Sequence, residues 1–528
     1  MNSEAKKWGG RLAAPIGWVL LIALGIRIYA ALTTHIVNPD GILYIHQARA
    51  LFYHQWQEIT ACGMHYFSIL PPLIAGAFAL CRDWEAAGRI VSVLFGFGAL
   101  IPLYFIVRRF FTESVAALVL LIFALIPALA GRSADIIRDP VYWFFLASGL
   151  LLFTRHLDAP HTGRLGLNLP LAAVLMLIAG WARIEAVVFI LLSAGYLLVF
   201  QKNRRVRDTL SFLSPMIVIA AAGLITLALL EGNWAKLLRL DKIARELLEL
   251  ESNYQGVRAG VQELAQGQSG ALRQFLRQAG DFVWIVPFGP LLDSLFEKFF
   301  YPYVLIFFAG FAGLRARLEN DLRARYFLLL CAGAFLMLYL HLLNTWMMFD
   351  RFLANLILPA VVVVGYGCEN ILRFFRKRTA FRPGALMIVF AIVVLAFGLG
   401  KNLRPRYAEK IVFREIARQI VQDKTLGRLA RIAAAPSNAY EWVFFYANQD
   451  VAGAPCSRAN RAEIMEDYAR FVAYLKAEEV RYVLWSAETP AQTRFDLLAM
   501  PLREDFDVIS TWRYNRSESY TLLAVKAN

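Results

Sequence analysis

GRIVSVLFGFGALIPLYFIV, residues 88–107, and SVAALVLLIFALIPALAG, residues 114–131, are two consecutive stretches with almost no charged side chains. An α-helix needs about 20 apolar residues to cross a hydrocarbon core of roughly 30 Å, and both stretches approach that length. Neither stretch alternates apolar with polar residues, as the strands of an outer-membrane barrel do. They therefore predict membrane-spanning helices.

The composition of the whole chain agrees with this prediction. Of its 528 residues, 59% are hydrophobic and 18% are charged, whereas soluble globular proteins carry about 25% charged residues. The composition excludes a soluble enzyme and a disordered protein. The net charge of +15 is expected for a membrane protein whose cytoplasmic loops are rich in Lys and Arg, so no nucleic-acid partner is predicted.

Similar apolar runs recur along the chain and predict about eleven spanning helices. They lie near 15–33, 88–107, 114–131, 139–155, 166–182, 184–200, 209–230, 300–314, 326–343, 352–371 and 383–400. A further run, 66–82, is short and contains Pro71 and Pro72. If this run does not span and the N-terminus is cytoplasmic, the cytoplasmic short loops hold seventeen Lys and Arg and the opposite loops hold four. Because this bias sets orientation, we predict a re-entrant or surface-lying helix at 66–82 in an α-helical polytopic protein of the cytoplasmic membrane.

This topology divides the chain into a transmembrane region, 1–400, and a periplasmic tail, 401–528. The transmembrane region includes a first extracytoplasmic loop at 34–87 and an outer stretch at 231–299, where leucines at helical spacing in 236–252 predict a helix in the membrane interface. The tail is predicted to be a small α/β domain without a nucleotide-binding motif. Its predicted strands are 429–435, 480–486, 506–514 and 519–526, and its predicted helices are 463–479 and a region around 491–499.

Neither the cysteines nor the histidines have the spacing of metal ligands. The odd number of cysteines, five, argues against a complete disulfide framework, and a Cys62–Cys81 bridge is one possibility in an oxidising compartment. We expect hydrogen-bonding roles for the four histidines of the first loop, which are His35, His46, His54 and His65.

The first candidate catalytic residue is Asp40, in NPDGILYIHQARAL directly after the first helix. A turn precedes it and helical spacing follows it, so its carboxylate lies at a membrane edge, where charged groups are functional candidates. Asp40 could act as a general base or only cap the helix. Tyr44, on the same helix, and His65 are candidate substrate-binding residues.

A second charged cluster lies at the outer start of the fourth predicted helix, in GRSADIIRDPVYWFF. Asp139 precedes a helix-starting proline and is either a second catalytic acid or a helix cap. Arg138, a candidate for substrate binding, could pair with Asp135 or with Asp139.

Two further arginines lie at predicted outer helix ends. Arg183 and Glu185, in AGWARIEAVVF, form a structural ion pair or contribute to substrate binding. Arg351, in NTWMMFDRFLANLILPA, is suited to a lipid-linked phosphate, which a guanidinium can bind through two hydrogen bonds.

Several segments together resemble the GT-C glycosyltransferases of the dolichyl-phosphate-mannose protein mannosyltransferase superfamily, including bacterial members that use polyprenyl-phosphate sugars. The segments follow one another over residues 15–400: NPDGILYIHQARAL, ILPPLIAG, AAGRIVSVLFGFGALIPLYFIVRRFF, DPVYWFFLASGLLLF, GWARIEAVVF and DRFLANLILPA. The resemblance implies a GT-C-like fold and the inverting transfer of one sugar from a polyprenyl-phosphate carrier to an acceptor hydroxyl. It assigns Asp40 as the base, Asp139 as the second acid and Arg351 as a ligand of the leaving phosphate.

The chain departs from the family pattern at two places. Many relatives have Asp-Glu in the first loop, where this chain has Asp40-Gly41. One potential metal ligand is therefore absent, and dependence on a divalent metal stays open. Ile184, between Arg183 and Glu185, stands where the family usually has proline.

Three other functions are compatible with a polytopic membrane protein. A transporter or flippase predicts internal repeats and paired interrupted helices, and the sequence shows no clear repeat. A glycan polymerase or ligase would transfer a whole oligosaccharide from a diphosphate carrier, and a receptor-like scaffold would bind partners through its tail. The favoured function is a hexosyl- or pentosyltransferase that acts at the outer membrane face on a lipid, glycan or protein acceptor.

Overall fold

The structure is a computed structural model of the chain. It describes residues 15–61, 66–158, 166–201, 204–229, 240–423, 429–435, 437–456, 467–486, 495–499, 502–515 and 518–526. Most of these residues are helical, as the apolar runs predict.

The chain forms two compact units, each built from segments that are distant in sequence. Unit A comprises Met1–Ile26, Phe95–Arg132 and Asp139–Asn402, and unit B comprises Arg27–Leu94, Ser133–Arg138 and Leu403–Asn528. The chain therefore changes unit on both sides of the short segment Ser133–Arg138.

The helices up to residue 229 are short or medium in length and closely spaced. They are α1 (Pro15–Thr33), α2 (Pro39–Phe52), α3 (Leu70–Cys81), α4 (Trp84–Gly98), α5 (Leu100–Val107), α6 (Glu113–Leu125), α7 (Pro127–Arg132), α8 (Asp139–Asp158), α9 (Asn168–Ala182), α10 (Ala186–Phe200) and α11 (Arg205–Leu229). A 3₁₀ turn, Trp56–Thr60, follows α2.

The helices from residue 240 onward complete the helical part. They are α12 (Leu240–Gln266), α13 (Gly270–Asp281), α14 (Phe288–Phe299), α15 (Tyr301–Ala309), α16 (Leu314–Asn320), α17 (Leu322–Thr345), α18 (Ala354–Ile357), α19 (Val361–Arg378), α20 (Pro383–Asn402), α21 (Ile411–Asp423), α22 (Ser437–Ala447) and α23 (Tyr468–Ala477). A 3₁₀ turn, Asp350–Leu353, precedes α18.

Five helical segments of the described residues are long and apolar enough to cross a membrane, and two bent pairs raise the number to seven. The five are Pro15–Thr33, Trp84–Val107, Arg205–Gly223, Leu322–Thr345 and Pro383–Asn402, and the bent pairs are Gly270–Asp281 with Val283–Phe299 and Asp350–Ile357 with Val361–Arg378. The predicted spans near 114–131, 166–182 and 184–200 correspond to shorter apolar helices. The total of about eleven spans stays a prediction.

The run at 66–82 forms α3, a helix of 12 residues that starts at Leu70. A helix of this length is about 18 Å long, which is shorter than a hydrocarbon core. Two of its first three residues are Pro71 and Pro72, positions where a missing amide N–H does not disturb the helix. The interfacial helix predicted at 236–252 is helical from Leu240 onward, in α12, and 236–239 lie outside the described residues.

Glycines allow two helices of unit A to pack closely. A Cβ atom added to Gly310, after α15, or to Gly367, in α19, would overlap backbone atoms of the opposite helix, at Val363 and Ile306 respectively. Small residues at such crossings allow the direct backbone approach that stabilises helix pairs in membranes.

The four predicted strands of the tail form one mixed sheet in unit B. The strands are β1 (Ile432–Ala435), β2 (Tyr482–Ser486), β3 (Phe506–Arg513) and β4 (Ser519–Val525), in the order β1-β2-β4-β3. β1 pairs parallel to β2, and β4 pairs antiparallel to both β2 and β3. The central strand β2 is buried at all five positions, which explains its continuous apolar sequence.

The predicted helices of the tail are confirmed in part. The prediction at 463–479 corresponds to α23, which Asp467 caps by accepting a hydrogen bond from the amide of Arg470. The helix predicted around 491–499 is wrong for residues 495–499, which are not helical and include a turn at 497–498, and 491–494 lie outside the described residues. Phe495 instead stacks on Trp485 of the sheet core, with ring centroids 5.8 Å apart.

The cysteines differ from the pairing considered above. Cys81 is free and exposed, so the Cys62–Cys81 bridge is wrong. Cys331 and Cys368 are free and buried, as expected for residues inside apolar runs. Cys456, in the tail, is disulfide-bonded.

Candidate functional site

The start of α2 places Asp40 in the first helical turn. Pro39 begins the helix, and Asn38 is the N-cap residue, with an extended backbone. Asp40 is therefore not the N-cap residue of this helix. Its half-buried carboxylate lies near the amide end, where the helix dipole favours a negative charge.

Two phenols and a guanidinium accompany Asp40 in unit B. The hydroxyl of Tyr44 lies 3.3 Å from that of Tyr66, and the guanidinium of Arg138 lies over the Tyr66 ring, 4.8 Å from its centroid. Burial raises the pKa of Tyr44; Arg138 opposes this rise, while Tyr66 and Asp40 add to it. The Tyr44 phenol is therefore a neutral donor or acceptor. We call Asp40, Tyr44, Tyr66 and Arg138 the Asp40 cluster.

The segment Ser133–Arg138 supplies Arg138 and is held by two polar contacts. The side-chain oxygen of Asn38 accepts a hydrogen bond of 3.0 Å from the amide of Ile136. The buried Asp135 forms an ion pair of 3.0 Å with Arg406. Burial lowers the pKa of Arg406, but Asp135 and Tyr407 together outweigh that effect, so the pKa is raised. The ion-pair partner of Asp135 is thus Arg406, and Arg138 instead contacts Tyr66.

Ile136 itself lies between two glycines. A Cβ on Gly88 would lie 2.8 Å from two side-chain carbons of Ile136, and a Cβ on Gly41 would lie 3.0 Å from its Cβ. A Cβ on Gly41 would also lie 2.8 Å from Oδ1 of Asn38 and from Cγ1 of Val37, so these contacts together favour a glycine after Asp40. A glutamate at this position would displace Ile136, so an Asp-Glu pair of metal ligands does not fit this chain.

Among the described residues, no group of three or more His, Cys, Asp or Glu side chains is placed so that it could hold a metal ion. Among the first-loop histidines, His46 lies 3.1 Å from the carbonyl oxygen of Glu58 through Nε2, which agrees with a hydrogen-bonding role. His65 lies outside the described residues. We derive no chemical step through a metal.

Unit A holds a second charged cluster around Arg183. The guanidinium forms ion pairs with Asp139 and, at 2.6 Å, with Glu185. Arg183 and Asp139 have side chains only 2% exposed, and the side chain of Glu185 is 14% exposed, so two of the three charges are buried and the third is partly buried. This is the Arg183–Glu185 ion pair considered from the sequence, with Asp139 as a further partner. The N-terminal residue of α8 is Asp139 itself.

Aromatic rings connect this second cluster to Arg351. The Phe352 ring centroid lies 4.9 Å from the Arg183 guanidinium and 5.7 Å from that of Arg351. Tyr142, whose hydroxyl donates to Asn355 over 2.6 Å, has its ring centroid 6.0 Å from the Arg183 guanidinium. We call Asp139, Arg183, Glu185 and Arg351 the Arg183 cluster. Two carboxylates already balance Arg183, whereas Arg351 is the more exposed guanidinium.

The sequence analysis missed several residues that shape these clusters. Tyr66 precedes the ILPPL segment in a run read only as apolar, and Arg406 lies more than 260 residues from Asp135, its partner. No local pattern could have joined such distant residues. The turn chemistry of Asn38 was visible in the sequence, but its bond to Ile136 was not.

The chain is similar to one protein family and to several known structures. Residues 69–228 match the family model described as dolichyl-phosphate-mannose-protein mannosyltransferase. The chain is similar to the crystal structure of ArnT from Cupriavidus metallidurans bound to undecaprenyl phosphate, with a TM-score of 0.60, 14% identity and coverage of 96% of this chain and 98% of that chain. The fold is that of the GT-C glycosyltransferases. This confirms the resemblance and the helical membrane architecture predicted from the sequence.

A second similar GT-C structure is the oligosaccharyltransferase of Archaeoglobus fulgidus. Its crystal structure with Zn and sulfate has a TM-score of 0.56 and 14% identity, with coverage of 93% of this chain and 72% of that chain. The archaeal oligosaccharyltransferase AglB from Archaeoglobus fulgidus, in complex with an inhibitory peptide and a dolichol-phosphate, has a TM-score of 0.51 and 11% identity, with coverage of 98% of this chain and 74% of that chain. No curated protein matches this chain in sequence.

Proposed function

We propose that this chain is a membrane glycosyltransferase that moves one sugar from a polyprenyl-phosphate carrier to an acceptor hydroxyl. The observation that carries this proposal is the Asp40 cluster, in which a half-buried carboxylate accompanies a guanidinium and two phenols. The class of the donor is supported by the similar structures that contain undecaprenyl phosphate and dolichol-phosphate.

Asp40 is the general base in this proposal. Its carboxylate takes the proton of the acceptor hydroxyl while the acceptor oxygen attacks the anomeric carbon. The bond between that carbon and the phosphate oxygen breaks, polyprenyl phosphate leaves with the bonding electrons, and the anomeric configuration inverts. A positioned base contributes about 10²- to 10⁴-fold to such a step.

Arg351 is the proposed ligand of the leaving phosphate. A guanidinium can pair with phosphate oxygens through two hydrogen bonds, and this stabilises the charge that develops on the leaving group. Arg183 is less suited to this role because Asp139 and Glu185 already balance its charge and because it is almost fully buried.

The remaining candidates receive supporting roles. We propose that Arg138, Tyr44 and Tyr66 contact the sugar or acceptor as donors beside Asp40, and that His65 contributes to the same substrate site. Arg183 and Glu185 hold Asp139, which we retain as the second acid. The acceptor class stays open between a lipid, a glycan and a protein.

We propose that the protein lies in the cytoplasmic membrane with its N-terminus in the cytoplasm and its tail in the periplasm. The Lys and Arg bias of the short loops supports this orientation. The disulfide-bonded state of Cys456 also supports it, because disulfides persist in oxidising compartments and are rare in the cytosol.

Mass spectrometry of polyprenyl-linked lipids tests the function. Lipid extracts would be compared from three strains, whose single gene copy encodes the native protein, Asp40→Asn or Asp507→Asn. Asp507→Asn is the control, because it changes an exposed carboxylate of β3 in the same unit. We expect a polyprenyl monophosphate carrying one sugar to accumulate only with Asp40→Asn. The mass of that lipid identifies the sugar class.

The same extracts decide between the proposed function and its alternatives. The similarity to an oligosaccharyltransferase favours transfer of a whole glycan as the second candidate function, and an accumulating diphosphate-linked oligosaccharide would support it. A wild-type lipid profile with Asp40→Asn present in the membrane would refute a base role for Asp40.

A further inference from the structure

The backbone just before Asp40 is held by side chains of the tail. Val37 is buried, with 1% exposure, and lies three residues before Asp40. Its amide donates a hydrogen bond of 2.7 Å to the Tyr446 hydroxyl, and its carbonyl accepts one of 2.8 Å from the Trp442 indole. The amide N–H and the carbonyl oxygen of Val37 therefore both have their hydrogen-bond partners on α22.

Neighbouring carbonyls are held in the same way. Arg414, in α21, donates to the carbonyl of His35 over 3.2 Å, and Arg89, in α4, donates to that of Ile36 over 3.4 Å. The carboxylate of Glu85 forms ion pairs with both arginines, at 2.6 Å to Arg89 and 3.3 Å to Arg414.

These contacts replace the regular hydrogen bonds that the backbone lacks between α1 and α2. A buried backbone group without a partner is costly, so the native path of this segment requires the side chains that satisfy it. Asn38 and Asp40 come directly after Val37. The hydrogen bonds that fix Val37 therefore also fix the direction of the first turn of α2.

We propose that Trp442 and Tyr446 are positioning residues for the transfer reaction, because they hold Val37 and thereby place the Asp40 carboxylate. The tail then contributes to catalysis through the backbone of the first loop. This inference rests on the proposed function, in which Asp40 is the general base.

Hydrogen exchange measures the physical part of the proposal. Tyr446→Phe removes the acceptor of the Val37 amide and keeps the ring. In the full-length Tyr446→Phe protein in detergent, the backbone amides of peptides covering residues 36–42 should exchange on the order of 10-fold faster than in the native protein. Tyr440→Phe is the matched control, because Tyr440 is a buried phenol of the same helix whose ring packs on Phe444.

Turnover measures the catalytic part. The lipid that accumulates with Asp40→Asn supplies the donor, and washed membranes of the native strain supply the acceptor. Each purified variant is normalised to its folded fraction from size-exclusion chromatography. Tyr446→Phe and Trp442→Phe should lower kcat about 10- to 100-fold with the KM for the donor unchanged, because displacements of about 1 Å at a reacting group have effects of this size.

The outcomes separate this inference from the function on which it rests. A structural role of Tyr446 alone would reduce the folded fraction and leave turnover per folded enzyme unchanged, and this result would overturn the inference. Unchanged exchange, or a raised KM at constant kcat, would also overturn it. If no donor lipid accumulates with Asp40→Asn while the variant is present in the membrane, the proposed function fails, and the positioning role fails with it.

Discussion

Replacing Gly88 by alanine tests the close packing of Ile136 against Gly88. The position of Arg138, two residues later, depends on this packing. The added Cβ would lie 2.8 Å from Cδ1 and Cγ2 of Ile136, whereas ordinary contacts begin at 3.4 Å. Ile136 would therefore have to move by about 0.6 Å. Overpacking of this kind costs about 1–3 kcal/mol, and replacing a helical glycine by alanine contributes about 1 kcal/mol in the opposite direction.

We therefore expect Gly88→Ala to destabilise unit B by about 0–2 kcal/mol and to lower turnover by on the order of 10-fold, since Arg138 lies two residues after Ile136. The assays are thermal unfolding of the purified protein in detergent and the donor-lipid turnover described above. Gly76→Ala is the control, because Gly76 lies in α3 of the same unit and its added Cβ would have nothing within 4 Å.

A second substitution makes the test specific. Ile136→Val removes Cδ1, and alone it should cost about 0.5–1.5 kcal/mol. Combined with Gly88→Ala it should cost less, because it relieves one of the two close contacts. Additive effects of the two substitutions would refute the close packing of Ile136 between the two glycines. A Gly88→Ala protein as stable and as active as Gly76→Ala would refute it too.

Three further predictions follow from buried or reactive groups. Asp139→Asn should lower the unfolding free energy by about 3 kcal/mol, because it removes one carboxylate from the buried Arg183; an unchanged unfolding midpoint would contradict this. Burial lowers the pKa of His46, so below about pH 6.5 the unfolded chain binds a proton that the folded chain does not, and stability should fall as the pH falls. Melting temperatures between pH 7.5 and 5 would show this slope, and His46→Gln should flatten it. A membrane-impermeant maleimide should label Cys81 without reduction and Cys456 only after reduction; equal labelling of both without reductant would count against the disulfide.

Local sequence patterns were sufficient for the elements that are stabilised by their own composition. The four tail strands lie within the predicted ranges because apolar, β-branched and aromatic residues concentrate there. The apolar run at 66–82 predicts a short helix, and it forms α3; that this helix does not span the membrane stays a prediction. The helix start at Asp139 was visible in the proline that follows it.

The arrangement of the candidate residues could not be predicted because it depends on long-range pairing. Arg183 was expected to pair with Glu185, two residues away, and the structure adds Asp139 from another helix. Arg138 has acidic residues on both sides in the sequence, yet its described contact is the ring of Tyr66. Side chains brought together from distant segments leave no spacing pattern in a single sequence.

The hydrogen bond between Val37 and Tyr446 has a consequence for how the protein is made. The two residues are 409 positions apart, so at ordinary elongation rates the ribosome needs roughly 20–80 s to synthesise Tyr446 after Val37. During that time the segment before Asp40 has been synthesised without the side chains that hold it. The nascent chain would thus reach the membrane well before Val37 acquires these hydrogen-bond partners, and the proposed positioning of Asp40 would begin only after α22 has been translated.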